Sequence, residues 1–140
     1  MRVRDVLETC LYARDLGAAE AFYRDVLGLE RIVAVEGRHV FFRCGGRVFL
    51  VFNPDRTSAP GGELPPHGTE GATHVCFAIR ADELGAWRDH LTRHGVPVEA
   101  EVDWPRGGRS LYFRDPAGNS IELTTPRIWG IDAEPPSSLG

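Results

Sequence analysis

The chain has 140 residues, 42% of them hydrophobic and 26% charged, with a net charge of −4. That is enough for one core and lacks the basic stripe a nucleic-acid partner needs, although Arg106 and Arg109 form a local basic cluster suited to a small anion. No apolar run approaches the roughly 18 residues of a membrane span, Met1-Arg2-Val3-Arg4-Asp5 has no signal-peptide core, and Cys10, Cys44 and Cys76 are odd in number and far apart. These features predict a cytoplasmic protein in a reducing compartment, with no membrane partner.

Residues 6–13 alternate as a strand, with Leu7, Thr9 and Leu11 on one face and Glu8, Cys10 and Tyr12 on the other. Asp15 is a helix N-cap, and Leu16, Ala19, Phe22, Tyr23, Val26 and Leu27 recur at helical spacing up to a stop at Gly28. Strands are expected over residues 31–35, 39–43 and 47–52, the last two joined by a turn at Cys44-Gly45-Gly46. Residues 53–71 shift to Pro, Gly and polar types and read as a linker.

The same order then returns: a strand over residues 74–79, a helix over 82–94 carrying Leu84, Trp87 and Leu91 inward and ending at Gly95, and a strand over 96–102. A hairpin follows, with strands over 110–114 and 120–124 joined by a turn at residues 115–119. Gly37-Arg38-His39-Val40-Phe41-Phe42-Arg43 reappears as Gly108-Arg109-Ser110-Leu111-Tyr112-Phe113-Arg114, so the chain is an internal duplication. The expectation is one domain over residues 1–130, with module one at about 4–56, a linker at about 57–70 and module two at about 71–126. A peripheral tail over 127–140 follows, in which Ile128, Trp129 and Ile131 are candidates for docking.

Strand parity places Val75, Phe77 and Ile79 under the second helix, and His74 and Cys76 on the opposite face with Glu122. In the first half, Glu8 and Cys10 take the corresponding face. Two carboxylates and an imidazole brought together out of bulk water are best neutralised by a divalent ion. Glu8, His74 and Glu122 form a three-ligand set that leaves positions open for water or substrate, as catalytic sites do. Fe, Mn, Ni, Co and Zn all suit it.

Glu8-Thr9-Cys10-Leu11-Tyr12 leads through Asp15-Leu16 to Ala21-Phe22-Tyr23-Arg24-Asp25-Val26-Leu27-Gly28-Leu29. With Gly71-Ala72-Thr73-His74-Val75-Cys76-Phe77 and Tyr112-Phe113-Arg114-Asp115-Pro116-Ala117-Gly118-Asn119-Ser120-Ile121-Glu122, this resembles the vicinal oxygen chelate superfamily. That superfamily includes glyoxalase I, bleomycin- and fosfomycin-resistance proteins and extradiol dioxygenases. The resemblance implies an α+β fold, two βαβββ modules in tandem forming a cupped eight-stranded mixed sheet, and commonly a homodimer. It implies metal ligands at the first and last strands of each module: Glu8, His74 and Glu122 here, with Leu50 at the fourth position, where no ligand is possible.

The expected function is a divalent-metal-dependent enzyme, of lyase, isomerase or dioxygenase type, whose small-molecule substrate chelates the ion through adjacent oxygens. The alternative is a metal-free antibiotic-binding protein of the bleomycin-resistance type. Glu122, loosening from the ion, and His67 are the candidate catalytic groups. Leu50, Trp104, Arg109, Tyr12 and Tyr112 are candidate substrate contacts. Cys10 and Cys76 sit two residues beyond Glu8 and His74, and either line the site or pack as small buried residues.

Overall fold

The computed structural model describes residues 1–137 and divides into two units, residues 1–73 and residues 74 onward. Each unit is a βαβββ arrangement with one four-stranded mixed sheet, giving eight strands and an α+β fold. No helix among the described residues is long and apolar enough to cross a membrane.

In unit one, β1 (Glu8–Tyr12) precedes α1 (Leu16–Ala21), which continues as a π-helical turn over Phe22–Val26. Next come β2 (Glu30–Val35), β3 (His39–Cys44) and β4 (Arg47–Phe52), in the sheet order β1-β4-β3-β2. The Asp15 side chain accepts a hydrogen bond from the Ala18 amide at 2.9 Å, as an N-cap should. Gly28, at φ 67°, takes the left-handed conformation that ends the helix. β1 and β4 are parallel, with Glu8 beside Val48 and Tyr12 beside Phe52.

Leu11, Val40, Phe42, Phe49 and Val51 point to one face and are buried with Tyr23 of the π-turn. The Tyr23 ring lies 4.8 Å from that of Phe49 and 5.8 Å from that of Phe42. Leu7, expected under the helix, is instead exposed. β4 begins at Arg47, directly after the Gly45-Gly46 turn, so the parallel register gives residues before Leu7 no strand to pair with.

The presumed linker begins with structure of its own. Asn53 caps a one-turn helix, α2 (Pro54–Thr57), with Pro54 at its first position. Arg14 forks onto Asp55 through Nε and Nη2 at 3.0 and 2.9 Å and also reaches Glu70 at 2.8 Å, fastening residues 55–70 to the end of β1.

Unit two repeats the plan with β5 (His74–Ala78), a 3₁₀ turn and α3 (Leu84–Arg93), β6 (Ala100–Asp103), β7 (Arg109–Arg114) and β8 (Ser120–Thr124). The sheet order is β5-β8-β7-β6, and β5 and β8 are parallel. Ile79, Leu91, Leu111, Phe113, Ile121 and Leu123 form the buried side, while Leu84 and Trp87 of α3 are only half-buried. β6 starts four residues later than expected. Val96 closes the end of α3 by donating its amide to Leu91 O at 2.9 Å, and Pro97 has no amide to donate.

In the tail Ile128 is half-buried and packs close to Gly108, Trp129 and Ile131 are exposed, and Ser137 donates to the buried Glu83 carboxylate at 2.8 Å. Residues 138–140, at the end of the expected peripheral tail, lie outside the described residues.

One half-buried ring in unit one makes stability depend on pH. The His39 ring stacks on Phe41 at 4.1 Å, its Nδ1 is buried without a partner among the described residues, and burial, followed by the charge of Arg38, holds its pKa below the ordinary 6.5. The unfolded chain therefore binds this proton more readily than the folded chain. The contribution of neutral His39 is complete above pH 6.5 and is lost as pH falls from there through the lower folded value. Urea midpoints measured across that interval should fall in the wild type and fall less steeply in His39→Phe.

Candidate functional site

The parallel register of β5 and β8 sets His74 beside Ser120 and Cys76 beside Glu122, and β7 sets Tyr112 opposite Glu122. His74, Cys76, Ser110, Tyr112 and Glu122 therefore share the face turned away from Ile121 and Leu123. His74 Nδ1 lies 3.0 Å from the backbone oxygen of Ser120. A carbonyl only accepts, so Nδ1 carries the proton, and in the neutral ring Nε2 presents a lone pair.

That lone pair faces Glu122 Oε2 at 3.4 Å. Two acceptors in this arrangement repel unless a cation stands between them, either a proton on Nε2 or a metal ion. The imidazole nitrogen and carboxylate oxygen are both suitable donors to a divalent transition ion, and the Nδ1 contact is the kind that orients a ligating histidine. His74 is half-exposed while Glu122 is buried.

The other carboxylate oxygen is tightly held. Ser110 Oγ donates to Glu122 Oε1 at 2.5 Å and accepts from Trp104 Nε1 at 2.7 Å. Ser110 Oγ also lies 2.9 Å from Thr124 Oγ1, which donates to the Arg109 carbonyl at 3.1 Å. Cys76, whose thiol lies 3.8 Å from Phe77 O, and Tyr112 flank Glu122 on the neighbouring strands. Burial, then the negative charge of the neighbouring Glu122, pushes the Cys76 thiol up to about 12. Burial, then the neighbouring Glu122 carboxylate, likewise raises Tyr112. Both groups stay protonated at neutral pH.

In unit one, Cys10 stands beside Leu50 and Tyr12 beside Phe52 on the face opposite Phe49 and Val51. Tyr12 Oη is 2.9 Å from His67 Nδ1, and the His67 ring meets that of Phe52 edge-on at 4.6 Å. Burial, then the Cys10 hydrogen bond, pushes Tyr12 up to about 12. The phenol stays protonated at neutral pH and shares a hydrogen bond with the His67 ring.

Glu8 opens β1, is exposed, and has no hydrogen bond or ion pair among the described residues. Among the described residues no group of three or more His, Cys, Asp or Glu side chains that could hold a metal ion is found; within unit two, His74 and Glu122 come together.

Two of the expected substrate contacts have partners within the protein. Arg109 alternates to the same side of β7 as Leu111 and Phe113, away from Glu122, and its guanidinium forks onto Asp103 at 2.6 and 2.8 Å. Trp104 spends its indole N–H on Ser110. Ser110, missing from the expected site, was signalled twice: by parity with Tyr112, and by its match in the internal repeat to another polar residue, His39.

The Glyoxalase/Bleomycin resistance protein/Dioxygenase superfamily model matches residues 6–123. The Metallothiol transferase FosB of Staphylococcus epidermidis (strain ATCC 12228 / FDA PCI 1200) is 26% identical over 126 residues, covering 89% of this chain and 84% of that protein. The FosB of Staphylococcus haemolyticus (strain JCSC1435) is 30% identical over 105 residues, covering 74% and 70% respectively. Among solved structures, Lactoylglutathione lyase from Agrobacterium tumefaciens is 43% identical with a TM-score of 0.90, covering 94% of this chain and 100% of that one. The fosfomycin resistance protein FosX of Listeria monocytogenes shares the fold, with a TM-score of 0.67 at 22% identity, covering 89% and 94%.

Proposed function

Because the chain belongs to the Glyoxalase/Bleomycin resistance protein/Dioxygenase superfamily, we propose that it is a divalent-metal-dependent enzyme acting on a small molecule that offers the ion adjacent oxygens. The observation that carries this reading is the His74 lone pair facing Glu122 Oε2 at 3.4 Å, with Nδ1 committed to Ser120. His74 and Glu122 are two ligands and Glu8 is the third, a carboxylate with no competing partner among the described residues. When bound, the ion supplies Lewis-acid stabilisation of a substrate oxyanion.

The chain's own groups divide the remaining work. Tyr112 and Cys76, both kept protonated, stand beside the Glu122 carboxylate. His67, held against Tyr12, is a candidate general base or hydrogen-bonding contact for a substrate oxygen. Glu122 is the proton acceptor in its loosened state. Lyase or transferase chemistry, as in the lactoylglutathione lyase and the metallothiol transferases, is favoured over oxygen-consuming chemistry. All three cysteines are free, which suits a reducing cytoplasm.

Metal analysis after reconstitution and desalting tests the reading. Wild-type protein should retain a stoichiometric divalent ion and His74→Ala should lose it. Equal, negligible retention by both would overturn the reading in favour of metal-free binding. We propose further that the protein is a homodimer in which a site draws Glu8 from one subunit and His74 with Glu122 from the other. Mixing and refolding inactive Glu8→Gln and Glu122→Gln chains would then restore about a quarter of wild-type activity, since half of the random dimers are mixed and each holds one intact site. No restoration would refute the shared site.

A further inference from the structure

We propose that Ser110 and Trp104 are positioning residues for the Glu122 ligand: the indole N–H fixes the serine hydroxyl, and the hydroxyl holds Oε1 so that Oε2 faces His74. This rests on the metal reading given above and deepens it.

Ser110 is fully buried and has a single proton to donate. Three groups surround its oxygen: the Trp104 indole at 2.7 Å, Glu122 Oε1 at 2.5 Å and Thr124 Oγ1 at 2.9 Å. An indole N–H can only donate, so it takes a lone pair of the serine oxygen. Thr124 gives its own proton to the Arg109 carbonyl. The Ser110 proton then goes to the strongest acceptor, the carboxylate, in a short charge-assisted bond. Oε1 is thereby occupied, and Oε2 is the oxygen directed at the imidazole.

The indole itself is placed by its loop. The Trp104 amide bonds to Gly108 O at 3.1 Å and the Gly107 amide to Trp104 O at 2.9 Å. Gly108, at φ 94°, packs so closely that a Cβ would come within 2.7 Å of Thr125 Oγ1 and 2.8 Å of Ile128 Cγ2. The loop is therefore seated on the turn formed by Pro126–Trp129, and the chain Trp104 to Ser110 to Glu122 runs from this backbone anchor to the ligand oxygen.

Co²⁺ binding measured by chelator competition, together with the d–d absorption of the bound ion, tests the relay. Ser110→Ala should weaken Co²⁺ about ten- to a hundredfold and change the absorption band. Trp104→Phe, at a partly exposed position where the fold tolerates change, should weaken it a few-fold, and the double variant should be no weaker than Ser110→Ala alone, because the indole acts only through the serine. A purely structural serine would lower thermal stability without moving the spectrum. If Glu122→Gln loses Co²⁺ while Ser110→Ala binds it as the wild type does, or if the two effects simply add, the relay is overturned. If Glu122→Gln also binds normally, the metal reading falls and the relay with it.

Discussion

Replacing Glu122 by glutamine is expected to lower divalent-ion affinity at least about a hundredfold, about 2.7 kcal/mol, and to abolish metal-dependent turnover. The substitution keeps the size of the side chain but removes its charge, and an amide NH₂ makes no bond to a cation. The metal-free protein should lose no more than about 1 kcal/mol, because the amide oxygen still accepts from Ser110. That contrast separates a ligand from a structural carboxylate. Isothermal titration with Zn²⁺ alongside thermal melts of the stripped proteins measures both sides, and an unchanged affinity would refute ligation.

The largest effect on stability is expected in unit one. Phe49 is almost fully buried, with its ring 4.8 Å from Tyr23 and 6.2 Å from Phe42. Phe49→Ala removes that aromatic contact and leaves a cavity that the neighbouring rings cannot fill without leaving their rotamers, at a cost of about 3–5 kcal/mol. Against the roughly 5–15 kcal/mol that holds a typical domain together, this is a severe loss. Phe49→Leu, closer in volume, should cost about half as much. Urea midpoints with unchanged slopes would report it, and a midpoint shift below about 1 kcal/mol would show that the aromatic cluster is not the core.

Much of this architecture was legible in the residues. Alternation along β4 and β8 separates Phe49 and Val51 from Leu50, and Ile121 and Leu123 from Glu122, and the duplicated words around Phe42 and Phe113 announce two equivalent sheets. What escaped were features set by a partner rather than by the segment itself. Leu7 alternates correctly yet is exposed, because the end of β1 depends on where β4 begins. The strand expected from residue 96 begins at Ala100 because Val96 is needed to close α3. The Asn53-Pro54 cap of α2 was present in the sequence but hidden among polar neighbours.

At the site, parity placed His74 and Glu122 on one face and, applied consistently to β7, would have exchanged Arg109 for Ser110. No pattern in the sequence could reveal that the Trp104 indole is spent on a serine, since that contact depends on the path of a loop.

In unit two the strand made last takes a place in the middle. β8 lies between β5 and β7, and it brings both the carbonyl that fixes the His74 proton and the carboxylate that the imidazole faces. A nascent chain on the ribosome therefore carries its histidine through some 46 residues of synthesis without either companion. Insertion of this final strand zips two open edges and brings imidazole and carboxylate together in one stroke, so a translation product truncated before β8 lacks that pairing altogether.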